Sequence, residues 1–185
     1  MRPVFNFSSE EGVVDTDSIF NGVLYFFNPT PVSLSLTKHA QEYVAKSFPD
    51  GCRLEGDSDA ELTDFISKAE AAKRGFTNCD TTKQLLEELI RFRYAGIKTK
   101  DIFYDVPRLR IIPASAILNS GISYNYLPHR DTWYGAGQEQ VNHWISVDNV
   151  TKDSTFYLSP SYFARQVANN SEIFDLDEWD STHRK

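Results

Sequence analysis

Sulfur is scarce in this chain: its 185 residues include two cysteines and one methionine. Cys52 and Cys79 lie far apart with no Cys-x-x-Cys, which does not fit a disulfide-stapled secreted scaffold, so two reduced thiols are expected. Cations are also few, with 19 Lys and Arg against 26 Asp and Glu and a formal net charge of −7. An acidic chain repels a phosphate backbone, so no nucleic-acid partner is expected. No apolar run approaches the ~20 residues that span a bilayer. The opening MRPVFNFSSEEGVVD has no apolar signal core and carries acids early. A cytoplasmic protein without membrane contact is therefore expected. The nine glycines show no phosphate-binding spacing, and there is no Gly-x-Ser-x-Gly elbow. Asp175, Asp177, Glu178 and Asp180 cluster without the Gly and terminal Glu of a calcium loop. No internal repeat or low-complexity segment is present.

What the chain does have is aromatic surface: 13 Phe, nine Tyr and three Trp. Such side chains favour pleated, half-buried surfaces, which suggests a β-rich core or an aromatic-lined pocket. The length suits one domain over 1–185, at about 100–200 residues per domain. Residues 1–100 read as a helical flanking part. Gly22–Phe27 is β-prone and stops at Asn28-Pro29. Leu36–Phe48 has helical spacing, with Ala40, Tyr43, Val44 and Phe48 on one stripe. Ser58-Asp-Ala-Glu61 is a capping box that opens a second helix, which Gly75 is expected to close. Thr81-Thr-Lys-Gln84 is expected to open a third in the same way, with Gly96 at its end. His39 falls on a helix surface and is expected to be solvated.

From Asp101 the pattern changes to short alternating runs: Ile102–Val106, Arg108–Ile112, Ile122–Tyr126, Gln140–Val147 and Thr155–Leu158. Helices first and strands after predict a mainly β, α+β domain whose core occupies 101–165, with the helices packed on its outside and a polar tail over 166–185.

Chemistry concentrates in Tyr126-Leu-Pro-His-Arg-Asp-Thr-Trp-Tyr-Gly135. Residues i and i+2 of a strand share a face, so His129 and Asp131 can present an imidazole nitrogen and a carboxylate oxygen together, with Arg130 turned away. These are two of the three ligands of a facial triad, the two-His-one-carboxylate set that leaves iron positions open. Pro128 stops the preceding strand and puts the pair at a strand edge or loop mouth. Gly135-Ala-Gly137 lets the backbone come close to something bulky. Along Gln140–Val147, alternation puts Gln140, Asn142, Trp144 and Ser146 on one face and Val141, His143, Ile145 and Val147 on the other. The face with the amides suits a polar ligand, since buried amides need partners. The opposite face reads as packing, with His143 a satisfied core histidine.

The run Pro128-His-Arg-Asp-Thr-Trp-Tyr-Gly-Ala136, with Gln140-Val-Asn-His-Trp144, Thr155–Phe163 and the upstream Tyr104-Asp-Val-Pro-Arg-Leu-Arg110, resembles the Fe(II)/2-oxoglutarate-dependent dioxygenases of the phytanoyl-CoA dioxygenase-like group. The resemblance covers about Phe103 to Phe163. It implies a double-stranded β-helix of the jelly-roll, cupin-like kind. It implies that His129 and Asp131 ligate iron, that Asn142 and Gln140 help hold 2-oxoglutarate beside Trp144, and that Trp133, Tyr134 and Tyr126 line a pocket for a small organic substrate to be hydroxylated. The group also needs a distal histidine and, soon after it, an arginine for the far carboxylate of 2-oxoglutarate. His183 is the one remaining histidine beyond His143, and Arg184 follows it too closely for the group's order. The distal ligand is thus unassigned, and the barrel is expected to be incomplete. An incomplete barrel leaves strand edges that invite a second chain or another copy. The alternative reading is a catalytically inactive jelly-roll binding or assembly module, or a half-enzyme completed by another polypeptide.

Overall fold

Thr30 opens the first long element by a mechanism visible in the bonds it makes. Its hydroxyl accepts from the Ser33 N–H at 3.2 Å while the Ser33 hydroxyl accepts from the Thr30 N–H at 2.8 Å. Pro31 follows at the first helical position, where its missing N–H costs nothing. The result is α2, Pro31–Ser47, in a computed structural model that describes residues 5–7, 12–52, 58–112, 128–152, 154–163, 165–175, 177–178 and 181. Before it come β1 (Phe5–Phe7), α1 (Thr16–Phe20) and β2 (Leu24–Phe26). β1 and β2 pair in parallel, with Phe5 opposite Leu24 and Phe7 opposite Phe26. After it come α3 (Asp59–Asn78) and α4 (Asp80–Arg93). The expected Ser58 capping box forms, with Ser58 Oγ accepting from the Glu61 N–H at 3.3 Å.

Two helix ends differ from expectation. α3 runs through Gly75 to Asn78. A Cβ at Gly75 would stand 2.7 Å from Cε1 of Tyr43. The glycine therefore serves the close approach of α2 to α3 and is not a cap. α4 has Cys79 as its N-cap residue and does not start from a Thr81 box, because Asp80 already belongs to the helix.

The three long helices pack on one another pairwise. Val32, Leu36 and Ala40 of α2, Phe76 of α3 and Leu89 of α4 are buried together with Leu109. A second cluster joins Phe48, Phe65 and Ala69. Ala40, Ala69 and Ala72 are 1–3% exposed and let the helix backbones come close. Each fully buried Leu or Phe contributes about 1.5–3 kcal/mol.

The mainly β, jelly-roll expectation is overturned. Among the described residues the strands are β1 and β2, and the stretches expected as strands in 102–112, 140–147 and 155–158 are irregular. Ile122–Tyr126 lies outside the described residues. The alternation in these stretches does reflect half-burial, but against helices. Leu109 and Ile111 sink into the helical clusters, and Ile145 and Val147 pack on the first. Helix side chains take the backbone acceptors that a neighbouring strand would have taken. The Thr77 hydroxyl donates to the Pro107 carbonyl at 2.9 Å. Gln41 donates to the Val147 carbonyl at 2.7 Å, and Thr37 to that of Ser146 at 3.5 Å. The helices expected on the outside of a sheet thus form the core themselves.

Candidate functional site

Arg130 has extended backbone (φ −110°, ψ 138°), and the chain then turns into a 3-10 helix over Asp131–Tyr134. Trp133 closes the turn through its N–H to the Arg130 carbonyl at 2.9 Å. Gly135 ends it at φ +80°, a left-handed position that L side chains rarely adopt. A Cβ there would come only to 4.0 Å from the Phe174 ring. The glycine is required by the turn and not by a bulky neighbour.

This turn brings His129 Nε2 to 3.4 Å from Asp131 Oδ1. Arg130 points elsewhere, donating to the carbonyls of Tyr162 and Arg165. The other Asp131 oxygen, Oδ2, accepts from the Asn142 amide, and Gln140 Nε2 in turn donates to Asn142 Oδ1 at 2.7 Å. Four residues singled out in the sequence therefore form one chain of contacts: Gln140, Asn142, Asp131 and His129. Asn142 bears on the carboxylate itself in this arrangement, and Gln140 bears on Asn142.

The aromatic neighbours are divided. Tyr134 meets the His129 ring edge-on at 5.3 Å between centroids, and Phe174 meets Tyr134 at 5.5 Å. Trp133 lies beneath the Arg130 guanidinium at 6.0 Å. Trp144 packs against Phe156 at 5.0 Å. Tyr126 and His183 lie outside the described residues.

The spacing of the pair leaves room for one divalent ion between the two donor atoms. Two ligands in adjacent coordination positions, each about 2.1 Å from one ion, stand about 3 Å apart. The observed 3.4 Å is close to that. The side chains of His129 and Asp131 are 33% and 54% exposed, so an ion could enter. Among the described residues no group of three His, Cys, Asp or Glu is placed to hold a metal. His143 is engaged with the Tyr94 hydroxyl at 2.6 Å, and His39 with the Thr82 hydroxyl at 3.0 Å.

Sequence reasoning missed a second polar cluster, at the junction of the three long helices. His39 is not solvated. Its side chain is 15% exposed, and its ring packs on Tyr43 and Phe76. Beside it, the Cys79 thiol is held down to about 6, first by a hydrogen bond from Tyr43 and next by the Thr82 N–H. The one signal was the spacing of His39 and Tyr43, four residues apart on one helix face. Of the two arginines on the 108–112 stretch, Arg108 makes an exposed ion pair with Asp105 at 3.0 Å. No described helix is long and apolar enough to cross a membrane. Compared with known proteins, the chain matches no family model, no curated protein and no solved structure.

Proposed function

We propose that His129 and Asp131 are two ligands of an Fe(II) centre in a 2-oxoglutarate-dependent oxygenase that hydroxylates a small organic substrate. One observation carries the reading: His129, Asp131, Asn142 and Gln140 gather into a single contact chain. It rests on these side chains and not on a barrel. His129 Nε2 and Asp131 Oδ1 supply the donor atoms. The Asn142 amide occupies Oδ2, so the carboxylate offers one oxygen in a fixed direction. Partners that orient metal-ligating carboxylates in this way support affinity. Tyr134 backs the imidazole edge-on and provides a flat wall beside it. Bound iron with 2-oxoglutarate would supply the oxygen activation; the chain supplies donor atoms and their geometry.

The test is anaerobic titration with Fe(II) and 2-oxoglutarate. A weak visible charge-transfer band that disappears in His129→Ala and Asp131→Ala supports the reading. Absence of the band at every iron concentration, for the chain alone and at high protein concentration, overturns it.

A second reading has another chain, or a second copy, complete the centre. Phe103 and Tyr157 are 92% and 82% exposed, apolar surface that a second chain would cover. Sedimentation with and without Fe(II) decides this: a dimer that forms with iron supports it, and a monomer throughout counts against it.

A further inference from the structure

Asn142 and His143 are neighbours in sequence with different partners. The Asn142 amide donates to Asp131. The His143 Nε2 lies 2.6 Å from the Tyr94 hydroxyl, and the two rings meet edge to face at 5.6 Å. Tyr94 is the C-cap of α4, with its N–H bonded to the Ile90 carbonyl at 2.9 Å.

The end of α4 is itself anchored. Arg93 is 5% exposed, and its guanidinium donates to the Gly12 carbonyl at 2.9 Å. That guanidinium also lies 3.7 Å over the Phe27 ring. The Arg93 carbonyl accepts from the Val14 N–H at 2.7 Å. Tyr94 therefore projects its hydroxyl from a backbone tied to the N-terminal segment on one side and to the helix on the other. Farther along the 140–147 segment, Ile145 and Val147 are packed on the core. Between that packing and the carboxylate, the Tyr94–His143 bond is the nearest fixed point to Asn142.

We propose that Tyr94 and His143 are positioning residues that clamp this segment to α4 and so hold the Asn142 amide on Asp131. The proposal rests on reading Asp131 as a metal ligand. The protonation states agree with it. Desolvation by the surrounding atoms, and next the Arg93 charge, lower the pKa of His143, which keeps exposed surface, so the ring is neutral at neutral pH. Burial raises the Tyr94 pKa, so the phenol keeps its proton. The bond has one donor and one acceptor across the neutral range.

Two readouts test the clamp. The first is the Asn142 side-chain amide signal in a ¹⁵N-correlated NMR spectrum, which needs no metal. Tyr94→Phe keeps the ring and removes the hydroxyl; His143→Leu removes the ring nitrogen at the other end. Both are expected to move the Asn142 amide toward the position of a solvent-exposed asparagine, and Tyr104→Phe to leave it in place. The other is Fe(II) affinity. Asn142→Ala is expected to weaken it ~10-fold, Tyr94→Phe to weaken it in the same direction, and the double variant no more than Asn142→Ala alone. An Asn142 amide unmoved in both Tyr94→Phe and His143→Leu overturns the proposal, as do additive losses in the double variant. If the chain binds no iron, the function reading fails, and the NMR signal still decides the clamp.

Discussion

The hydroxyl of Thr82, a side chain with no exposed surface, lies 3.0 Å from Nε2 of His39 on the neighbouring helix. Removing it while keeping its shape isolates the value of that bond. Thr82→Val is expected to cost about 1–3 kcal/mol, because a mostly enclosed imidazole nitrogen loses its partner. Thr82→Ser, which keeps the hydroxyl, is expected to cost less. Urea denaturation followed by circular dichroism makes the comparison; equal losses would remove the bond from the account.

The two thiols are expected to react very differently. The Tyr43 hydroxyl first, then the Thr82 N–H, hold Cys79 at about 6 against an ordinary value near 9, with burial opposing and the Thr81 N–H and His39 assisting. Cys52, although exposed, is shifted the other way, by desolvation from its neighbours and then by Asp148. At pH 7 Cys79 is mainly thiolate, the reactive form, so limiting iodoacetamide is expected to label Cys79 before Cys52. The Cys79 rate is expected to rise with a midpoint near 6. The same shift gives stability a sign. The folded state favours the thiolate, so its contribution is complete above pH 9 and is lost as pH falls toward 6. Equal labelling of both cysteines in peptide mass spectra would contradict this.

Gly75→Ala sets two effects against each other. Alanine gains about 1 kcal/mol in helix propensity. Its methyl, however, would meet the Tyr43 ring at 2.7 Å. That ring is backed by Phe76 and His39, and overpacking costs about 1–3 kcal/mol. Net destabilisation is expected. Because the displaced ring carries the hydroxyl that bonds Cys79, the Cys79 labelling midpoint is expected to move upward as well. A stabilised variant with an unchanged midpoint would show that the helices have room to spare.

The second apolar cluster offers a packing test. Phe48 and Phe65 stand 5.0 Å apart between ring centroids, and Phe65 is 4% exposed. Phe65→Ala is expected to cost about 3–5 kcal/mol. In a double-mutant cycle with Phe48→Ala, a coupling of about 0.5–1.5 kcal/mol is expected from the ring pair. Additivity of the two losses would mean that the rings contribute independently.

Local rules succeed in this chain where their cause is local. Ser58 and Glu61 satisfy each other's backbone within four residues, and the box they spell in sequence forms. The i, i+2 spacing of His129 and Asp131 places the two groups together, although a tight turn and not a strand does it. His143 parts from Asn142 as alternation implies. The failures concern partners. Alternation along Arg108–Ile112 and Gln140–Val147 reports one wet and one dry side but does not say what dries the other. Here it is helix side chains, and the jelly roll inferred from those stretches does not form. The Thr81 box loses to the N-cap at Cys79, since Asp80 enters the helix first. The His39, Tyr43, Thr82 and Cys79 cluster draws on residues from separate helices, so no single window of sequence displays it.

Gln41 and Thr37 fasten 140–147 through side chains, where a strand would have used its backbone. A backbone ladder is indifferent to which residue stands at each rung; a fastening made by a carboxamide and a hydroxyl is not. The polar share of the chain's route past α2 is thus encoded in the identity of two helix side chains, beside the apolar packing of Ile145 and Val147. Substitutions there would read as harmless on hydropathy, yet they would strip the Ser146 and Val147 carbonyls of their partners.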